Sequence, residues 1–188
     1  MTVGVLAIQG AVSEHVSVLQ RLGERAAGIK TADDLEDISA LIIPGGESTT
    51  LGKFLSGKLG SKISALARKG MPIYGTCTGM IALGRVSSRE PPTLGLMDVQ
   101  VRRNAFGRQA DSFEEDIRIP AIGGAPFHCV FIRAPVIEKA GRGVEILARS
   151  GDRIVFARQG NLLVSSFHPE LTDDARIHEY FLGFRGRV

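Results

Sequence analysis

Apolar residues fall in short blocks along this chain, and the period of the blocks changes as the chain proceeds. Residues 3–8 (Val-Gly-Val-Leu-Ala-Ile) form a continuous apolar run, the pattern of a strand buried on both faces. After Gln9-Gly10, Val12, Val16, Leu19 and Leu22 recur at helical spacing until Gly23 closes the segment. Residues 26–29 and 40–43 predict two further strands, the second stopped by Pro44-Gly45-Gly46. Ser48-Thr49-Thr50 supplies capping side chains for a helix carrying Leu51, Phe54 and Leu55. Ile63, Leu66 and Ala67 mark another helix, ended by Gly70, and Pro72-Ile73-Tyr74 begins the next strand. Strands alternating with helices in this way predict a parallel sheet covered on both faces.

The second half reads differently. Residues 99–103, 116–119, 129–133, 144–148, 154–157 and 162–166 are all strand-like, with Ser150-Gly151-Asp152 and Gln159-Gly160-Asn161 as short turns between the last three. Residues 175–184 bring Ile177, Tyr180, Phe181 and Phe184 near helical spacing, so a final helix packs back on the sheet. The predicted fold class is α/β: a single-domain three-layer sandwich over residues 1–188. Its central sheet is mostly parallel, with helices on both faces and an antiparallel-rich second half.

Composition changes this picture little. The 188 residues are 44% apolar and 23% charged, ordinary for a globular chain. A net charge of +3, spread along the chain, gives no nucleic-acid footprint. No run approaches the roughly 18 apolar residues of a membrane helix, and the N-terminus lacks a basic leader region. Two cysteines, Cys77 and Cys129, make no disulfide framework. The expectation is a cytoplasmic protein with reduced thiols, needing neither a metal nor a cofactor.

The chemistry lies at Gly75-Thr76-Cys77-Thr78-Gly79, between the apolar runs 71–74 and 80–83. This is strand, sharp turn and helix, with the glycine spacing of a nucleophile elbow and cysteine in the nucleophile's place. A helix N-terminus there favours an anion, and the thiolate is the reactive form of cysteine. The pentapeptide alone leaves two readings open, a catalytic thiol and a small core residue beside a glycine turn. A cysteine nucleophile needs a base and a group to orient it. His168 ends the apolar strand 162–167, at the strand end where α/β sheets gather their sites, and Glu170 stands two residues on to fix the imidazole. Pro44-Gly45-Gly46-Glu47-Ser48 adds glycines at another strand end, where backbone N–H groups approach a ligand closely. The Thr78 N–H and Gly46 are the candidate oxyanion donors.

Taken together, Pro44-Gly-Gly-Glu-Ser48, Gly75-Thr-Cys-Thr-Gly79 and Phe167-His-Pro-Glu170 resemble the motifs of class I, triad-type glutamine amidotransferases. Four further stretches are similar to the glutaminase subunits of pyridoxal 5′-phosphate synthases. They are Leu6-Ala-Ile-Gln-Gly-Ala-Val12 with Glu14-His15, Arg103-Asn-Ala-Phe-Gly-Arg-Gln109, Asp111-Ser-Phe113 and Val130-Phe-Ile-Arg-Ala-Pro135. The resemblance implies that Cys77 attacks the carboxamide of L-glutamine, with His168 and Glu170 completing the triad. It also implies that Gly46, Glu47, Ser48, Arg103, Ile132 and Arg133 line the glutamine site, the arginines holding the α-carboxylate and Glu47 the α-ammonium. The ammonia would pass to a separate (β/α)₈-barrel synthase subunit in a large heteromeric assembly, with the Gly45-Gly46 hinge keeping the isolated chain weakly active.

One departure from the family pattern is Thr78, where alanine is usual. Cys129 is expected in the core. His15 and His128 carry no catalytic expectation, and His15 is expected to face a partner. Three rivals stay open: a glutaminase feeding another synthase, such as that of histidine biosynthesis; a catalytically silent module on the same fold; and a cysteine protease or thiol chaperone.

Overall fold

A computed structural model describes residues 1–86, 92–103, 105 and 112–186. The parallel half comprises β1 (Thr2–Leu6), β2 (Arg25–Ile29), β3 (Ile38–Ile43), β4 (Ile73–Thr76) and, from far downstream, β11 (Leu162–Ser165). Between them in sequence lie the helices α1 (Val12–Arg21), α2 (Ser48–Leu55), α3 (Lys58–Arg68) and α4 (Thr78–Leu83). The second half adds β5 (Val99–Arg102), β6 (Ser112–Ile117), β7 (Phe127–Ile132), β8 (Val136–Ala140), β9 (Glu145–Ser150) and β10 (Arg153–Gln159), and α5 (Arg176–Leu182) closes the fold.

The main sheet runs β2-β1-β3-β4-β11-β10-β8-β5, with β9 paired to β10. Pairs from β2 to β11 are parallel, and those beyond β11 are antiparallel. The predicted α/β architecture, parallel first and antiparallel later, is therefore the one observed. Strand β4 is buried along its whole length, as is β11, which suits two-sided burial. Alternation assigns each residue of a strand to one face. In β3, Leu41 and Ile43 join the apolar cluster under α2, α3 and α4, while Ala40 and Ile42 join the cluster under α1 and α5. On that second face Ile177 and Phe181 of α5 are fully buried, worth about 1.5–3 kcal/mol each.

The register decides where chemistry can assemble. Ile43 of β3 pairs with Gly75 of β4, and Thr76 pairs with Ser165 of β11. The loops leaving the carboxyl ends of all three strands therefore emerge side by side. They begin at Pro44, Cys77 and Ser166.

Four expectations need correction. The cap of α2 is Glu47, whose carboxylate accepts from the Thr49 and Thr50 N–H groups at 3.1 and 2.7 Å. An anion serves this N-terminus better than the predicted hydroxyls. Strand β8 has no counterpart in the apolar pattern, because Glu138 and Lys139 keep half of it solvated. The expected strand at 116–119 begins at Ser112, and β6 pairs only with β7 in a separate two-stranded sheet, Phe113 stacking on Phe131 at 4.4 Å. Arg133 lies just beyond β7 and not within a strand, exposed and at φ +43°.

Candidate active site

Cys77 occupies φ +48°, ψ −105°, a conformation that costs an L-residue about 1–3 kcal/mol. The surroundings enforce it. Its N–H donates to the Ser165 carbonyl at 2.8 Å, and its own carbonyl accepts from Met80 at 3.0 Å to start α4. Gly75 and Gly79 let strand and helix meet, since a Cβ on Gly75 would lie 2.4 Å from the Gly79 backbone.

His168 stands beside this cysteine. Its Nδ1–H donates to Glu170 Oε1 at 2.7 Å, and its ring and Cys77 flank Gly45 together, an added Cβ there lying 2.5 Å from His168 Cε1 and 3.2 Å from Cys77 Cβ. The Cys77 sulfur further lies 3.9 Å from the Ile132 carbonyl. All three side chains are buried, but Cys77 and His168 reach the wall of an open cleft. Burial disfavours the imidazolium, but the hydrogen bonds to Cys77 and Glu170 and their charges outweigh it, raising His168 to about 10. Burial would likewise raise Glu170, yet His15 and the His168 hydrogen bond hold its carboxyl below the ordinary value.

These shifts make stability depend on pH. A raised histidine stabilises fully below its unfolded value of 6.5, and that contribution fades as pH climbs through about 10. A depressed glutamate stabilises fully above its ordinary 4.5 and loses that contribution in more acid solution. Both are complete between pH 4.5 and 6.5. Denaturant titrations should therefore show stability falling on either side of that window. A His168→Gln variant should have a flatter alkaline limb, and an unchanged limb would contradict this account.

The loop after β3 closes on the thiol from the other side. The Gly45 N–H donates to Thr76 Oγ1 at 3.1 Å, and the Thr78 hydroxyl donates to the Gly46 carbonyl at 2.6 Å. A Cβ on Gly45 would sit 2.5 Å from His168 Cε1, so only glycine fits against the imidazole. Gln9 Nε2 braces the loop by donating to the Glu47 carbonyl at 2.7 Å.

The cleft between these parts has a volume of about 310 Å³, room for a small amino acid. Every sequence-predicted site residue except Glu170 is found in its lining: Gly46, Glu47, Ser48, Cys77, Thr78, Arg103, Ile132, Arg133 and His168. Glu170 sits behind the imidazole. The Ser48 hydroxyl is buried with no partner among the described residues, a polar atom left for a ligand. Glu47 is already committed as a helix cap, and its two backbone hydrogen bonds hold its carboxyl down at about 2. Of the 103–109 stretch, Asn104 and Phe106 to Gln109 lie outside the described residues, as does Asp111.

Sequence reasoning missed Gly10, Ala11 and Ile81 in the lining. The available signal was the end of β1, whose turn shares the edge: a Cβ on Gly10 would meet the Gly45 carbonyl oxygen at 1.6 Å. His15 does not face a partner, because it is wholly buried. His128 is exposed between Asp116 and Glu114, and Cys129 is a core residue whose thiol burial pushes up.

A parallel sheet that hands a strained cysteine and a glycine loop to one edge is the framework of a class I glutamine amidotransferase. A crystal structure of a glutamine amidotransferase superposes on the chain with a TM-score of 0.92 at 48% identity, covering 98% of each. A second solved structure, of PurLQS from Thermotoga maritima, shares the fold at TM-score 0.70 and 16% identity, covering 97% of each. The chain belongs to the SNO glutamine amidotransferase family, whose profile matches residues 5–184. It is 56% identical to pyridoxal 5′-phosphate synthase subunit PdxT of Pelotomaculum thermopropionicum, over 97% of this chain and 94% of that one. It is 53% identical to the protein of the same name from Moorella thermoacetica, over 99% and 100%.

Proposed function

We propose that the protein is the glutaminase subunit of a pyridoxal 5′-phosphate synthase. It hydrolyses L-glutamine to L-glutamate and ammonia and delivers the ammonia to a separate (β/α)₈-barrel synthase subunit in a heteromeric assembly. One observation carries the catalytic part: a single imidazole, hydrogen-bonded to a buried carboxylate, shares the wall of a cleft of amino-acid size with a strained thiol. The relatives' names favour this synthase over another biosynthetic one, and family membership tells against a protease.

In the first half-reaction the Cys77 thiolate attacks the side-chain carboxamide. The oxyanion is met by the Thr78 N–H and by the backbone at Gly46. The C–N bond breaks as His168 gives its proton to the departing ammonia, leaving a glutamyl thioester. In the second half, His168 takes a proton from water, the new C–O bond forms, and the C–S bond breaks to return the thiolate. Glu170 keeps the Nδ1–H of His168 engaged, so the other nitrogen faces sulfur throughout. Arg103 and Arg133 pair with the α-carboxylate, and Ser48, Glu47 and the Ile132 carbonyl complete the amino-acid contacts. A working thiol at Cys77 suits a reducing, cytoplasmic setting.

Co-purification with a candidate synthase, followed by glutamine-dependent formation of pyridoxal phosphate, tests the assignment. Ammonia released without any gain in synthesis would refute the partner.

The Thr78 hydroxyl gives this chain an extra hold on the loop that carries the second oxyanion donor. Thr78→Ala should release the Gly46 carbonyl and raise glutamine hydrolysis by the chain alone about 2- to 10-fold, the worth of one hydrogen bond. Turnover with the synthase bound should stay the same. An unchanged partner-free rate would show that the hydroxyl does not restrain the loop.

A further inference from the structure

Two histidines that the mechanism does not use are wholly buried behind the catalytic carboxylate. His15 comes from α1 and His178 from α5, the two helices that cover this face of the sheet. His15 Nδ1 lies 3.0 Å from His178 Nε2. On its other side His15 Nε2 is shared between Thr76 Oγ1 at 3.3 Å and Glu170 Oε2 at 3.5 Å. Glu170 Oε2 is buried with no hydrogen-bond partner among the described residues, and His15 Nε2, 3.5 Å away, is a donor that a small shift would bring onto the oxygen that His168 leaves over. We propose that His15 and His178 form a positioning relay that fixes Glu170 from behind, one line of side chains running from Cys77 through His168, Glu170 and His15 to His178.

The tautomers follow from the network. Suppose His15 carried its proton on Nδ1. Its Nε2 lone pair would then face the buried carboxylate, and His178 would be left with a buried Nδ1–H and no acceptor. The opposite assignment removes both penalties. His15 Nε2–H points at Glu170 and Thr76, His178 Nε2–H donates to His15 Nδ1, and only a neutral lone pair on His178 Nδ1 goes unpartnered. An orphaned acceptor is the less costly of the two.

Burial favours the neutral form of both rings. His15 faces Glu170, His168, Glu14 and His178, and its burial lowers it more than the carboxylates raise it. His178 faces His15, Glu170, the Tyr74 ring and, farther off, Arg21, and burial takes it down to about 3. Neutrality has a purpose here. A charged His15 would compete with the His168 imidazolium for Glu170, whereas a neutral N–H holds Oε2 and leaves Oε1 turned to His168. Thr76 extends the relay, because the same hydroxyl accepts the Gly45 N–H of the loop across from Cys77.

The inference rests on the catalytic reading of Glu170, so Glu170→Gln is the reference variant. Full turnover in Glu170→Gln would defeat that reading, whatever His15 does. The test measures glutamate release by the full chain with its synthase, across pH, for His15→Leu, His15→Gln and His178→Phe. His15→Leu should lower kcat about 10- to 100-fold with KM little changed, the loss of a hydrogen bond to a charged group. The acid limb of kcat should move to higher pH, because a carboxylate without its donor takes up a proton more readily. His15→Gln, which returns an N–H near the Nε2 position, should recover most of the rate and the original limb. His178→Phe should lower kcat several-fold and move the acid limb the same way. A histidine that merely packs would lower thermal stability alone, with the limb fixed and Gln no better than Leu, and that result would overturn the relay. If His15→Leu does not fold, an unmoved acid limb in His178→Phe would overturn it equally.

Discussion

Cys77→Ala should remove glutamine-dependent ammonia release almost entirely, by roughly 10⁵- to 10⁶-fold, as expected when the nucleophile of a coupled triad is lost. Synthesis of pyridoxal phosphate from added ammonium salts by the assembled synthase should persist. In the proposed reaction the two readouts part, because there the thiol serves only the amide bond and the acceptor chemistry belongs to the other subunit. Structural damage is not a competing explanation, since alanine meets the same φ of +48° and deletes only one buried sulfur. Parallel assays of glutamate and pyridoxal phosphate check this. Loss of both activities would mean that Cys77 is needed for assembly, and retention of both would dismiss it as the nucleophile.

Gly79→Ala should damage the fold itself. A Cβ at this position would lie 2.1 Å from the Ile43 carbonyl oxygen and 3.1 Å from its carbon, with backbone on both sides and no flexible side chain to yield. Relief requires α4 to lift away from β3, which overpacking data put at about 3 kcal/mol or more. For a domain of this size that lowers Tm by roughly 6–12 °C. Activity should fall further than stability suggests, because the same displacement moves the Gly45-Gly46 loop away from Cys77. Gly143→Ala is the control: its φ is +82° but nothing lies within 4 Å of the added methyl, so only backbone strain of about 1 kcal/mol is expected. Thermal melts of the two variants give the comparison. Equal melting points would refute the close-packing account of the elbow.

The parts legible in the sequence were those where burial leaves no charged residue on either face. Strands β3, β4 and β11 read plainly for that reason, and with them the three motifs at their carboxyl ends. Strand β8 was illegible because Glu138 and Lys139 are solvated and its place is set by backbone pairing to β5. The capping role of Glu47 was hidden, since nothing in the spacing reveals an anionic cap until the Thr49 and Thr50 N–H groups are located. Arg133 read as strand because its apolar neighbours hide a positive φ. His15 and His178 were the deepest concealment. A polar residue on an amphipathic helix reads as solvated, and only the distant Glu170 and the stacking of two helices reveal that both rings are interior.

Strand β11 arrives late, and that timing has a biological corollary. Cys77 takes its backbone lock from the Ser165 carbonyl and shares its cleft with His168, both encoded far downstream of it. A growing polypeptide on the ribosome thus carries its sulfur without that lock until Ser165 has been added. A fragment that stops before β11 holds neither the Ser165 carbonyl against the Cys77 N–H nor His168 beside the same cleft.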